Sequence, residues 1–81
     1  MDGPRFSDRE REVVRLVAYG LTNARIGSEL GISGLTVKKH LLRVSKKSGC
    51  RDRAHLVATG FRDGWLVWGH DGRIGVRKEN A

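Results

Sequence analysis

The chain has 81 residues and a formal net charge of +7, from 16 Lys and Arg against 9 Asp and Glu. A domain this small buries only ~60% of its unfolded surface, so one modest core is all the length allows, and pairing with a second copy is a natural route to stability. The lone Cys50 excludes an internal disulfide and reads as a small core residue in a cytoplasmic protein, and the absence of an apolar leader or of an apolar run near ~18 residues argues against secretion and a membrane span.

Residues 1–6 form a lead-in in which Gly3-Pro4 opposes helix. Ser7-Asp8-Arg9-Glu10 has the form of a capping box, with Ser7 accepting from the Glu10 amide and the Glu10 carboxylate returning to the Ser7 amide. Helix 1 then covers residues 8–19, with Val13, Leu16 and Val17 as its apolar stripe, Val14 beside it, and Gly20 as its end. Thr22 caps helix 2 over residues 23–30, where Ile26 and Leu30 face inward. Gly27 is a poor helix residue, which is explained if the next helix approaches closely there. Gly31-Ile32-Ser33 is a three-residue turn, and Ser33 caps helix 3 over residues 34–48. Two short helices joined this way make a helix-turn-helix signature, in which the second helix enters the major groove.

At ~100° per residue, helix 3 places Val37, Leu41, Val44 and Ser48 on one arc. Leu35, Lys38, Lys39, Leu42, Arg43 and Lys46 share the opposite arc, with His40 and Lys47 beside it. No carboxylate occurs from Ser33 to Arg51, and residues 33–53 hold seven basic residues against Asp52, which is +6 of the net +7. An excess gathered into one patch favours a polyanion such as nucleic acid over a merely solvated basic surface.

Gly49 ends helix 3, Asp52 caps helix 4 over residues 53–63, and Gly64 stops it. Ala54, Val57, Ala58 and Phe61 are expected inside. The opposite arc, Leu56, Thr59, Gly60 and Asp63, is then the exposed one, and a leucine among small residues suggests a helix–helix seam between subunits. A lone surface leucine is the plainer alternative. For the extension over residues 65–81 two readings stand. In one, a hairpin with Asp71-Gly72 as a two-residue tip pairs Val67 with Val76. In the other, helix 4 frays through Val67 and the last ten residues are disordered.

Residues 6–64 resemble the LuxR/GerE-type helix-turn-helix domain. The matching features are Arg9-Glu10-Arg11-Glu12-Val13, Gly20-Leu21-Thr22-Asn23, Ile26 with Leu30, Ile32-Ser33, Thr36-Val37-Lys38, His40-Leu41, Lys47, Gly49, and the segment from Arg51 to Val57, in the family's order and spacing. The resemblance implies an all-α, four-helix DNA-binding domain over residues 1–64 of a transcription regulator. It also implies dimers formed through helix 4 on imperfect inverted repeats, in a stand-alone, GerE-like chain or an isolated domain. The sequence departs from the family at Gly27, Ser48 and Cys50, where Ala, Leu and an aliphatic residue are usual. These changes predict a lighter, more mobile corner between helices 3 and 4. The Trp-rich extension is no family feature and is a candidate cover for that corner.

Position and resemblance together divide the expected DNA contacts. Lys38, Lys39, Leu42 and Leu35 face base edges, lysine donating to guanine N7/O6 and leucine meeting a thymine methyl. Thr22, Asn23, Thr36, His40, Arg43 and Lys46 face phosphates. His40 has a second reading as a half-buried structural histidine. His40, His55, His70 and Cys50 lack metal-ligand spacing and no motif brackets a catalytic set, so neither an enzyme, a cofactor nor a small-molecule ligand is expected. Non-specific nucleoid binding is a variant of the same reading. The competing class is an interaction module or antagonist docking on a larger regulator or on RNA polymerase, but such a protein need not keep Lys38, Lys39, Arg43 and Lys46 all basic.

Overall fold

The computed structural model describes residues 3–78. Four helices come first, α1 (Asp8–Ala18), α2 (Asn23–Leu30), α3 (Gly34–Ser48) and α4 (Arg53–Asp63). A two-stranded antiparallel sheet follows, β1 (Leu66–Trp68) and β2 (Ile74–Val76). The helix starts are fixed locally. Ser7, Thr22, Ser33 and Asp52 each accept from the amide three residues on, and Ser7 with Glu10 forms the full reciprocal box. Gly31, Gly49 and Gly64 take left-handed backbone at the ends of α2, α3 and α4. Of the expected domain limits, Met1, Asp2 and residues 79–81 lie outside the described residues. Among the described residues, no helix is long and apolar enough to cross a membrane.

The core is built from Val13, Val14, Leu16 and Val17 of α1, Ile26 of α2 and Val37 and Val44 of α3, closed by Phe6, Cys50 and Leu56. Trp65, Leu66 and Ile74 belong to it equally, so the extension is part of the domain. Gly27 is explained by contact. A Cβ there would stand 2.5 Å from the Ile32 carbonyl oxygen and 3.2 Å from the Gly34 nitrogen, so the turn and the start of α3 press directly on α2.

The hairpin reading of the extension holds, with a correction in register. Leu66 pairs with Val76, Val67 with Gly75 and Trp68 with Ile74, one residue away from the expected Val67–Val76 pair. The loop is longer than two residues. Gly69 N–H donates to the Arg73 carbonyl at 2.7 Å, the Asp71 carboxylate accepts from Arg73 N–H, and Gly72 has φ +79. A one-residue slip exchanges the faces of a strand. The observed register puts Leu66, Ile74, Val76 and Trp68 together on the face toward the helices, which the two-residue tip would have split.

That face corrects the phase of α4. Leu56, Thr59 and Gly60 are buried, whereas Ala54 and Ala58 are exposed and Val57 and Phe61 half-buried. The small residues face inward because β1 packs on them, and a Cβ on Gly60 would stand 2.5 Å from Leu66 Cδ1 and 3.0 Å from Leu66 Cβ. The hairpin is also tied to α1, where the Tyr19 hydroxyl accepts from Ile74 N–H at 2.7 Å. Trp68 stacks on Phe61 with 6.4 Å between centroids, and Trp65 meets Phe6 edge to face at 5.5 Å.

The extension therefore covers α1 and α4, not the corner between α3 and α4. Hydrogen bonds hold that corner where aliphatic contact was expected to be lost. Ser48 Oγ donates to the Val44 carbonyl at 2.7 Å and accepts from Cys50 N–H at 3.2 Å, and Ser45 Oγ donates to the Cys50 carbonyl. Cys50 itself is a buried free thiol, and Gly27, inside α2, packs on the turn between α2 and α3 rather than on this corner.

Candidate nucleic-acid interface

Helix α3 is anchored by Val37 and Val44, fully buried, with Leu41 packed beside them. The opposite face is open. Lys38, Lys39, Arg43 and Lys46 are exposed, and among the described residues none of these four has a carboxylate partner. Leu35 and Leu42 are 65% and 58% exposed in the middle of this basic surface. An apolar side chain of that size left in water beside unpaired cations is poorly placed for solubility and well placed for base edges flanked by phosphates.

The start of α2 adjoins the start of α3. A Cβ on Gly34 would touch the Ala24 and Asn23 backbone at 3.8 Å, so both helix N-termini, with their unpaired amides, lie together. Thr22 Oγ1 accepts from Arg25 N–H, which leaves its hydroxyl proton to donate. Thr36 is half-buried, and its hydroxyl is 3.0 Å from Ser33 Oγ within the cap of α3. His40 is half-buried with Nδ1 in the interior and unpartnered, so only Nε2 is available to a ligand. Eight of the expected contact residues lie on α3 and two at the head of α2. The expected seam residues of α4 do not share an exposed surface: Leu56, Thr59 and Gly60 face inward, and Asp63 pairs with Arg62 at 3.0 Å.

Two cations of the basic segment are engaged within the fold. Lys47 Nζ donates to Glu10 Oε1 at 2.6 Å, tying the last turn of α3 to the first turn of α1. Burial of the Glu10 carboxylate pushes its pKa up, but the Lys47 hydrogen bond, the Ser7 amide and the Lys47 charge together outweigh it and hold the group below its ordinary value. Arg53 spans to the head of α2, with Nη1 donating to Asn23 Oδ1 at 2.6 Å and Nη2 to the Leu21 carbonyl. Beside Arg53 lies a cleft of about 180 Å3 that Lys38, Leu42 and Arg51 also line, so the clamp borders the basic face. The roles of Lys47 and Arg53 leave no local trace in the sequence, because their partners are 37 and 30 residues away.

The comparisons agree with this geometry. The family described as "Bacterial regulatory proteins, luxR family" (GerE) matches residues 4–59. The transcriptional regulatory protein YxjL of Bacillus subtilis, named as uncharacterized, is 41% identical over 59 residues, which is 73% of this chain and 27% of that protein. The transcriptional regulatory protein DegU of Brevibacillus brevis is 38% identical over 58 residues, 72% of this chain and 25% of its own. The probable transcriptional regulatory protein NarL of Mycobacterium tuberculosis is 42% identical over 59 residues, again 73% of this chain and 27% of that one. This chain thus spans about a quarter of the length of these relatives. With that match over more than half its length and the helix-turn-helix in place, the chain belongs to the LuxR family of bacterial regulatory proteins as a DNA-binding domain.

Proposed function

We propose that the protein is a sequence-specific transcription regulator that binds as a homodimer, in the cytoplasm, to an imperfect inverted repeat, with α3 in the major groove. The observation that carries this reading is the exposed, carboxylate-free face of α3, with two leucines among unpaired cations. Lys38, Lys39, Leu42 and Leu35 meet base edges, while Arg43, Lys46, Thr22, Asn23, Thr36 and the Nε2 of His40 meet phosphates. The dimer seam runs along the outward arc of α4, where Ala54, Val57 and Ala58 lead to Phe61 and the exposed Trp68.

Selection of bound duplexes from a random pool at two salt concentrations tests the reading. A preferred inverted repeat should emerge, and log affinity should fall with log salt at a slope of about −0.9 per phosphate neutralised. In the same assay Lys38→Ala should relax preference at one position and cost ~1–3 kcal/mol, while Lys46→Ala should weaken all sequences alike. Salt-independent binding, or no enriched sequence, would overturn it.

A further inference from the structure

We propose that Arg53 is a positioning residue for DNA binding: its guanidinium fixes the Asn23 side-chain amide so that the donor end, not the acceptor end, is left for a phosphate. The inference rests on the DNA-binding reading above and gives a defined task to a residue that otherwise counts only as charge in the basic segment.

An asparagine amide carries an acceptor oxygen on one branch and two N–H donors on the other, whereas a phosphate only accepts. The side chain is useful at the backbone only with Nδ2 toward it, and the reverse orientation would set Oδ1 against an anion. A guanidinium has no acceptor, so it can bond Asn23 through Oδ1 alone. Arg53 Nη1 makes that bond at 2.6 Å, and Nη2 of the same planar group holds the Leu21 carbonyl, one residue before the Thr22 cap. The fork therefore fixes both the orientation of the amide and the backbone that carries it. With Oδ1 taken, Nδ2 is the branch left over, on the first residue of α2, beside the first residue of α3. Because Arg53 opens α4, the amide is held by an element outside the helix-turn-helix itself.

The test is a double-mutant cycle on the full chain, read as affinity for the selected duplex, with circular dichroism confirming the fold of each variant. Asn23→Ala and Arg53→Met should each lower affinity by about tenfold, the order expected for one hydrogen bond to a charged group. The double variant should lose little more than either single one, because each removes the same contact. Asn23→Asp separates positioning from simple folding support. Its carboxylate still accepts from Arg53, so thermal stability should hold, yet it meets the phosphate with an anion and should bind more weakly than Asn23→Ala. Losses that multiply in the double variant would mean that Arg53 touches DNA directly, and unchanged affinity in Arg53→Met or Asn23→Asp would equally overturn the proposal. A wild-type chain without salt-dependent binding would instead sink the DNA-binding reading, and this inference with it.

Discussion

Glu10 carries its charge where burial opposes it, and the Lys47 ammonium, 2.6 Å away, together with the Ser7 amide keeps it ionised. The sign of the resulting pH dependence follows. Its folded pKa lies below the ordinary 4.5, so the stabilisation is fully present above that value and is lost as pH falls through the folded pKa. Lys47 stays 39% exposed, which limits what the pair contributes. Glu10→Gln should therefore lower unfolding stability by about 1–2 kcal/mol at pH 7. Urea titrations should show the gap between wild type and variant closing as pH is lowered beneath the folded pKa. A gap that stays constant into strong acid would mean that Glu10 is not the ionised partner. The pair matters because it fixes the last turn of α3 where Ser48 replaces an apolar anchor, so the basic face is held at both ends.

At the scale of the element, the hairpin decides more than its six strand residues suggest. Trp65, Leu66 and Ile74 are nearly fully buried, and side chains of that size contribute about 1.5–3 kcal/mol each. Their sum is comparable to the entire stability of a small domain, on the order of 5–10 kcal/mol. A chain ending at Gly64 keeps the whole helix-turn-helix and all of the family match over residues 4–59, yet it should lose its cooperative melting transition by circular dichroism. A truncated chain that melts like the full one would show the hairpin to be an appendage. The same element marks where reading the sequence stops short. The four helices and their caps were legible because a cap needs a partner only three residues away. The face of α3 was legible because Val37, Leu41 and Val44 leave no other way to turn the helix. In α4 the apolar residues divide between two arcs, and counting them favoured the arc with more. What settled the phase was Leu66 lying on Gly60, a contact that depends on a strand register set in turn by the loop around Gly72. In the sequence Lys47 and Arg53 count only as charge in the basic segment, and only the folded chain brings Glu10 and Asn23 to them.

For the whole molecule, the inverted phase of α4 changes what a dimerisation experiment must perturb. Leu56 is 4% exposed, so Leu56→Asp would place an unpaired carboxylate in the core and unfold the chain, giving no information about subunits. The outward arc is different, since Ala54 and Ala58 are small and exposed and permit close approach of a second helix, while Val57, Phe61 and Trp68 supply apolar area. The domain measures 32 × 29 × 24 Å, and half-sites one DNA turn apart lie at ~34 Å, so two copies in contact side by side are of a size to present their α3 helices to successive major grooves. Val57→Asp should keep a cooperative melting transition at a cost of about 1–2 kcal/mol, because the side chain is half-buried and only its inner side packs on the core. It should nevertheless convert dimers to monomers in sedimentation and weaken binding to the full inverted repeat far more than to a single half-site. If Val57→Asp sediments as wild type does and loses equal affinity for both DNAs, the α4 seam is excluded. Dimerisation, if observed, would then have to use a surface away from this arc.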